Sequence, residues 1–514
     1  MRKKTRIVIQ LVAIILVISL RALGQNPSVK IIHFGAGNAD CSLIVIKDFD
    51  DKKTNPGFHT VTILIDTGRG NAANTGMGTA KKLWEQIWAR IQSENATQLD
   101  YLVISHLDGD HVGNAQSILS MIYAPSNNYT WKENLRIIDR LAFNMTAAYS
   151  DVKIKEYQLW DIPKTNAKPV GWYQSEYMAH YGKRTVKKKK FDPQRRLVFY
   201  GQDLLKLNTQ YTLKNTQMIC VASDGVIGDT RRAQAKSTSA TDPKGENDLS
   251  FAFLLRFGSF RYYTGGDTDD NPDETAMEDF LRMQVDADWR AKYQGSTPIP
   301  KFHVCAMKVN HHGSKYGTNA PFVDLFDPKI AVFSSGMQKF SEGYHPSKEA
   351  ISRLDGAKKI CNANPPSRRQ LLFTFRIKSV NKNDANPMEK LSTSNNWKNI
   401  GIQDVVLYVQ KEADGRPLND LPPKIYMFRL WRLKGDYRRL TPTIARPAIP
   451  PGDPTPPAML PEEFAYDPTV ITCDRVDDCT NKKHSVLALP EKPALFPPDN
   501  LSLLSLLRLF FNQP

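Results

Sequence analysis

Four side chains able to bind a divalent metal fall within six consecutive positions: His106, Asp108, Asp110 and His111. Imidazole and carboxylate are the ligand types of catalytic divalent ions. The residues just before them, Tyr101 to Ile104, form a short apolar run that reads as a buried strand. A loop so dense in ligands at the end of a strand is hard to explain by packing. Three other strand-like runs also end in polar groups. Val61 to Ile65 leads into Asp66-Thr67-Gly68, Phe260 to Thr264 into Gly265-Gly266-Asp267, and Phe302 to Val309 into Asn310-His311-His312-Gly313-Ser314. Strand ends on one edge of a sheet converge in space, so residues far apart in sequence can meet at one metal centre.

The elements that must position these groups follow from periodicity. Val29 to Phe34 and Cys41 to Ile46 read as strands joined by the glycine turn Gly35 to Asp40. That turn leads into a strand rather than a helix, which argues against a dinucleotide-binding fingerprint. Leu83, Trp84, Ile87, Trp88 and Ile91 recur with the period of an amphipathic helix over Lys81 to Gln92. A helix over Val112 to Ile122 starts beside the ligand loop. Leu249 to Arg256 and Phe260 to Thr264 form a hairpin around Gly258-Ser259. Helices are expected over Pro272 to Val285, Ala320 to Phe326 and Ser347 to Leu354, and a strand over Ile330 to Phe333. Leu371 to Ile377, Val405 to Gln410 and Ile425 to Leu433 alternate as an antiparallel meander would.

A chain of 514 residues exceeds what one core usually holds. Residues 1–24 have a basic start and a 14-residue apolar stretch, Ile7 to Leu20, with small residues Ala22 and Gly24 after it. At ~1.5 Å per residue that stretch is too short to span a ~30 Å hydrocarbon core, so it reads as a cleaved export signal, with an uncleaved anchor as the alternative. Residues 28–360 form the main domain, with an elaboration over about 124–246. Residues 361–440 form a C-terminal β extension, and 441–514 a Pro-rich tail. Export permits disulfides, but six cysteines make no zinc-finger spacing or disulfide framework; Cys473 and Cys479 are placed to close a small local loop, and Cys41, Cys220 and Cys305 lie in apolar runs as small core residues. The net charge of +16 favours an anionic substrate, nucleic acid among them, or an anionic membrane surface. The basic block Lys183, Arg184 and Lys187 to Lys190 reads first as a solvated loop, with a phosphate-contacting loop as the alternative.

The order Asp-Thr-Gly, His-x-Asp-x-Asp-His, Gly-Gly-Asp, His-His-Gly-Ser resembles the metallo-β-lactamase superfamily. More narrowly it resembles the soluble hydrolase domain of ComEC-type competence proteins, over Val29 to Leu354. The resemblance implies an α+β fold, a four-layer αββα sandwich with an insertion and a C-terminal β and Pro-rich extension. It also implies two divalent ions at one edge. Carried over residue by residue, His106 and Asp108 hold the first ion, and Asp110 and His111 the second. Asp267 bridges the two, and His311 completes the second site. Asp66 orients a ligand or backbone. Asn247 and Ser250 match an Asn/Ser motif of the ComEC type. His312 and Ser314 stand beside the ions or the substrate.

The chain departs from the commoner superfamily pattern. Asp108 stands where that pattern has histidine, and the usual extra histidine before Gly-Gly-Asp is missing, with only His180 in that interval. A carboxylate hardens the first site, so Mn²⁺ or Mg²⁺ is expected beside Zn²⁺. The expected activity is metal-dependent hydrolysis of a phosphodiester, with DNA as one candidate substrate, Asp110 managing the proton of water and His345 donating to a leaving group. The alternatives are hydrolysis of a lactam, an ester or a cell-wall choline phosphate, and a non-catalytic basic binding protein of the envelope. His33, His59, His303 and His484 read as structural. No transmembrane channel is encoded in this sequence.

Overall fold

Val29, Ile31, Ile44, Ile46, Val61 and Ile63 alternate along three strands, so their side chains share one face. Ile32, Leu43, Val45 and Leu64 take the opposite face. Both sets are buried, which requires a layer on each side of the sheet. The computed structural model supplies those layers. It describes residues 26–36, 39–51, 57–69, 80–123, 126–139, 194–196, 198–207, 210–231, 245–272, 275–336, 338–340, 343–355, 369–377, 400–410, 424–432 and 469–472. All of these fall in the first of two compact units, Met1–Val476; none falls in the second, Asp477–Pro514.

The first sheet opens with β1 (Ser28–His33), β2 (Ser42–Phe49) and β3 (Phe58–Ile65), paired antiparallel. It continues in parallel through β4 (Tyr101–Val103), β5 (Arg136–Ile138) and β6 (Gln194–Arg196). The second sheet holds β7 (Thr216–Ala222) and, past the small hairpin β8 (Val226–Ile227) and β9 (Thr230–Arg231), β10 (Ala252–Phe257) and β11 (Phe260–Thr264). It goes on in parallel through β12 (Ala306–Lys308) and β13 (Ile330–Phe333). The hairpin β14 (Gln338–Phe340) and β15 (Gly343–His345) precedes its last strand, β16 (Gln370–Phe373). After Thr374 the chain crosses back to the first sheet as β17 (Phe375–Ile377), β18 (Ile400–Gln410), β19 (Lys424–Arg432) and β20 (Thr469–Thr472).

The run Leu371 to Ile377 is therefore divided between two sheets at Thr374, whose hydroxyl donates to the carbonyls of Phe333 and Ser335. The expected C-terminal β extension contributes β18 to β20, and β18 pairs directly with β1. The 124–246 elaboration likewise supplies β5, β6 and β7 to the two sheets. The basic block from Lys183 to Lys190, Cys473 and Cys479, the Pro-rich tail, residues 1–24, His180 and His484 lie outside the described residues.

Helices cover the outer faces. Helix α1 (Ala80–Ser93) buries Leu83, Trp84, Ile87 and Ile91, spaced at one side of a helical turn, against the first sheet. The four-residue turn α2 (Gly109–Val112) and helix α3 (Ala115–Tyr123) take the place of the one helix expected over Val112 to Ile122. Helices α4 (Met277–Lys292), α5 (Ala320–Phe326) and α6 (Lys348–Asp355) cover the second sheet. Three apolar clusters thus fill three interfaces: helices on the first sheet, sheet on sheet, and the second sheet on helices. This is the αββα order. Truncating Ile87, which is fully buried, would cost ~2–5 kcal/mol. Among the described residues, no helix is long and apolar enough to cross a membrane. Cys41 and Cys220 are buried free thiols, whereas Cys305, expected as a plain core residue, is buried and disulfide-bonded.

Candidate metal centre

The ligand-bearing residues follow the C-terminal ends of parallel strands. Asp66 follows β3, the His106 to His111 loop follows β4, Asp267 follows β11, and the His311-His312 pair follows β12. The β1–β2 turn brings Asp40 to the same edge, where its N–H donates to the carbonyl of Asp110 and its own carbonyl accepts from Gly68. One ligand atom from each of Asp40, His111, Asp267 and His312 lies within 4.8 Å of every other.

The backbone around these residues is constrained. Asp66, His311 and His312 have φ of 58°, 45° and 51°, in the left-handed region that costs a non-glycine residue about 1–2 kcal/mol. At Gly266, with φ +57°, a Cβ would lie 2.8 Å from Ser250 Oγ and 3.0 Å from Ser105 Cβ, so only glycine fits. Next to it, the Asp267 N–H donates to Ser250 Oγ at 3.1 Å. Helix α4 holds the following loop through Glu278, which accepts from Asn310 Nδ2 and the Asn319 N–H.

Hydrogen bonds fix the imidazole orientations. Asp66 accepts from the Ser105 N–H and hydroxyl at 2.7 Å each, and its Oδ2 lies 2.8 Å from His111 Nδ1. His312 Nδ1 donates to the Ser334 carbonyl at 2.7 Å. With both Nδ1 atoms engaged, both Nε2 atoms point inward, 3.2 Å apart. Each is 3.1 Å from Asp267 Oδ2. Two neutral imidazoles present lone pairs to each other here, an arrangement that needs a proton or a metal ion between them. Asp267 Oδ1 and Asp40 Oδ1 are buried with no hydrogen-bond partner. The donor set of two imidazoles and buried carboxylates therefore fits a divalent cation.

Lys308 joins the cluster from β12. Its ammonium, 3% exposed, ion-pairs with Asp40, lies 3.6 Å from Asp267 Oδ1 and donates to the Gly266 carbonyl at 2.7 Å. Burial pushes the Asp40 and Asp267 carboxyls up, but Lys308 and the two imidazoles at Asp40, and His111 and His312 at Asp267, outweigh it. Asp40 is held below the usual carboxylate range and Asp267 well below it. Conversely, burial lowers His312, and the carboxylates of Asp267 and Asp40 reverse this and raise it to about 10. His111 is likewise raised, through Asp267 and Asp66. The cluster's field selects for positive charge.

The other expected site residues lie around this core. Asp110 Oδ2 is 3.4 Å from His312 Nε2, with its side chain 17% exposed. His106 Nε2 lies 3.6 Å from Asp108 Oδ2, and its ring is 4.0 Å from that of His111. His106 and Asp108 form a pair beside the four-residue set. His311, expected to complete the second ion's site, instead puts Nδ1 2.6 Å from Asp269 Oδ2, with Nε2 3.9 Å from Asp267 Oδ2. Its neighbour His312 takes the inward position. His345 is buried, with its ring 4.9 Å from His311 and 6.4 Å from His312. Ser314 accepts from the N–H groups of Tyr316 and Gly317 and shapes the turn. Asn247 sits half-buried on the short turn before Ser250. His33 hydrogen-bonds Ser42 within the core and His59 stacks on Tyr211.

Sequence reasoning did not single out Asp40, Lys308 or Glu246, whose Oε1 accepts from the Leu107 N–H at 2.8 Å. A lysine in the otherwise apolar strand β12 is a readable signal, because a buried ammonium needs an anionic partner.

Residues 59–122 match the family model of the Metallo-beta-lactamase superfamily. ComE operon protein 3 of Bacillus subtilis (strain 168) is 25% identical over 118 residues, 23% of this chain and 12% of that protein's length. The crystal structure of the metallo-beta-lactamase fold protein YhfI from Bacillus subtilis aligns at 10% identity and a TM-score of 0.31, covering 67% of this chain and 96% of that one.

Proposed function

As a chain that carries a metallo-β-lactamase superfamily domain with a ComEC-like motif order, this protein is, we propose, an exported metal-dependent hydrolase of phosphodiester bonds, with DNA among its substrates. The observation that carries the reading is the opposed pair of His111 and His312 Nε2 atoms, 3.2 Å apart beside Asp267. A divalent ion there would supply Lewis-acid polarisation of a phosphoryl oxygen and a water nucleophile at neutral pH.

The chain's own residues divide the remaining work. Asp66 and the Ser334 carbonyl hold the two imidazoles in the ligating tautomer. Asp110, partly exposed beside His312, accepts the proton of the attacking water. His311 has a 14% exposed side chain and its Nδ1 on Asp269, so its Nε2 can give a proton to the leaving oxygen. His345, expected as the donor, is 1% exposed, against 14% for the His311 side chain, with its ring 4.9 Å from that of His311, so the more exposed His311 takes that role in this reading.

The ligand atoms of Asp40, His111, Asp267 and His312, all within 4.8 Å of one another, form one cluster. Asp40, Asp66 and Asp267 are buried carboxylates with Asp110 beside them, and the Lys308 ammonium offsets only part of their charge, which favours a bound cation. The reading is therefore one tightly held ion, Zn²⁺ or Mn²⁺, rather than the pair implied by the resemblance. Export is supported by the signal-like residues 1–24 and by the Cys305 disulfide, a bond that persists in oxidising compartments.

The test is turnover by the purified protein with Mn²⁺ or Zn²⁺ on bis-p-nitrophenyl phosphate, single- and double-stranded DNA, and nitrocefin. Metal-dependent cleavage of the phosphodiesters without nitrocefin hydrolysis is expected. Nitrocefin turnover alone would move the reading to lactams, and no turnover with any metal would leave a binding protein.

A further inference from the structure

Arg256 and Arg261 are direct cross-strand partners on β10 and β11. Like charges opposed in this way destabilise a hairpin unless something compensates them. Lys292, at the C-terminal end of α4, adds a third cation. It lies 5.7 Å from the Trp289 ring centre and 5.5 Å from that of Tyr293. The Arg261 guanidinium sits 4.8 Å over the same Trp289 ring. Trp289 is itself fixed by its indole N–H on the Pro300 carbonyl and by edge-on packing with Phe302. The aromatic faces hold the cations in place but neutralise none of them. Among the described residues, no carboxylate forms an ion pair with Arg256, Arg261 or Lys292; Asp286 is taken by Arg290, and Asp288 lies with Tyr200 and Gln284. Burial, then Arg256, lowers Arg261, and burial, then both arginines, lowers Lys292, so the charged neighbours these groups feel most are of their own sign.

We infer that Arg256, Arg261 and Lys292 form a docking site for the phosphate backbone of a single-stranded nucleic acid. The site lies away from the metal centre. Arg261 precedes Asp267 by six residues of mostly extended chain, about 20 Å at ~3.3 Å per residue. It rests on the phosphodiester reading for its link to catalysis, as a second grip that holds a long strand while another part of it is cut. The net charge of +16 adds long-range attraction for the same polyanion. A membrane surface fits less well. The only large apolar side chain exposed on the adjoining loop is Ile299, at 38%, whereas insertion needs a continuous apolar face.

The experiment measures binding without turnover. Fluorescence anisotropy of the full protein in EDTA follows a labelled 30-nucleotide strand and a 4-nucleotide strand over a salt series. For Arg256→Gln/Arg261→Gln/Lys292→Gln, affinity for the 30-mer is expected to fall about tenfold or more. The slope of log K against log salt should flatten by about 0.7 per lost phosphate contact, roughly 2 in total. The single variant Lys292→Gln, at an exposed position, should flatten it by about 0.7, and Arg256→Lys/Arg261→Lys should keep most of the binding. Turnover of bis-p-nitrophenyl phosphate should be unchanged in all of them. Unaltered 30-mer affinity and slope in both the triple variant and Lys292→Gln would overturn the site, as would loss of binding to anionic vesicles but not to DNA. If the variants lose DNA binding although the wild type cleaves no phosphodiester, the docking site stands and the hydrolase reading fails.

Discussion

His111 and His312 present their Nε2 atoms to each other over 3.2 Å, each ring pinned from behind, one by Asp66 and the other by the Ser334 carbonyl. The pinning is what turns two histidines into a binding site. Asp66→Asn keeps the shape and tolerates the left-handed backbone of that position, but it removes the charge behind His111. Affinity for Zn²⁺ or Mn²⁺ is expected to fall about 10–100-fold with the fold retained. Titration calorimetry with circular dichroism checks this, and unchanged affinity would show that the ring is held by other contacts.

The adjacent histidines should separate by role. His312→Ala removes an inward ligand and should abolish tight metal binding. His311→Ala should keep the ion and lower turnover, because its Nδ1 is tied to Asp269, its Nε2 lies 3.9 Å from Asp267 and its side chain is partly exposed. Equal metal loss in the two variants would make His311 a ligand as well.

Spacing alone could not have assigned these roles. His311 and His312 are neighbours of the same type, and the choice between them depends on two left-handed φ angles, which turn one ring inward and the other toward Asp269. The dense loop from His106 to His111 was legible because strand, loop and ligands are contiguous. So were the Asp66 and Asp267 strand ends. Asp40 was not, because only the pairing of β1 with β2 and the bond from its N–H to the Asp110 carbonyl bring a turn residue to this edge. In the same way, β18 was legible as a strand, but its place beside β1 depends on a partner more than 350 residues away in the chain.

Glu278 gives a pH test independent of the ion. Burial, then Asp270, raises its carboxyl to about 8 despite the donors it accepts. Its value in the unfolded chain is near 4.5, so between ~4.5 and ~8 the folded protein holds a proton that the unfolded chain has released. Stability from this group is complete below that window and is lost as pH rises through it. Glu278→Gln should flatten the fall in Tm over that range. A slope equal to that of wild type would assign the pH dependence to other groups.

Gly266→Ala places a Cβ 2.8 Å from Ser250 Oγ at a φ of +57°. The backbone cost is about 1–2 kcal/mol, and relief of the clash must shift Asp267. Both Tm and metal affinity should fall. A drop in Tm with intact metal affinity would mean that Asp267 stays in place while the turn yields elsewhere.

The ion count tests the account most directly. Protein stripped with chelator is titrated with Zn²⁺ or Mn²⁺ and its bound metal measured after equilibrium dialysis, for the wild type, Asp267→Ala and Lys308→Met. One tightly bound ion per chain is predicted for the wild type and none for Asp267→Ala. Lys308→Met should hold its ion with altered affinity, because the charge opposite Asp40 and Asp267 is gone. Two tight ions in the wild type, or one retained in Asp267→Ala, would contradict a single-ion centre built on Asp40, His111, Asp267 and His312.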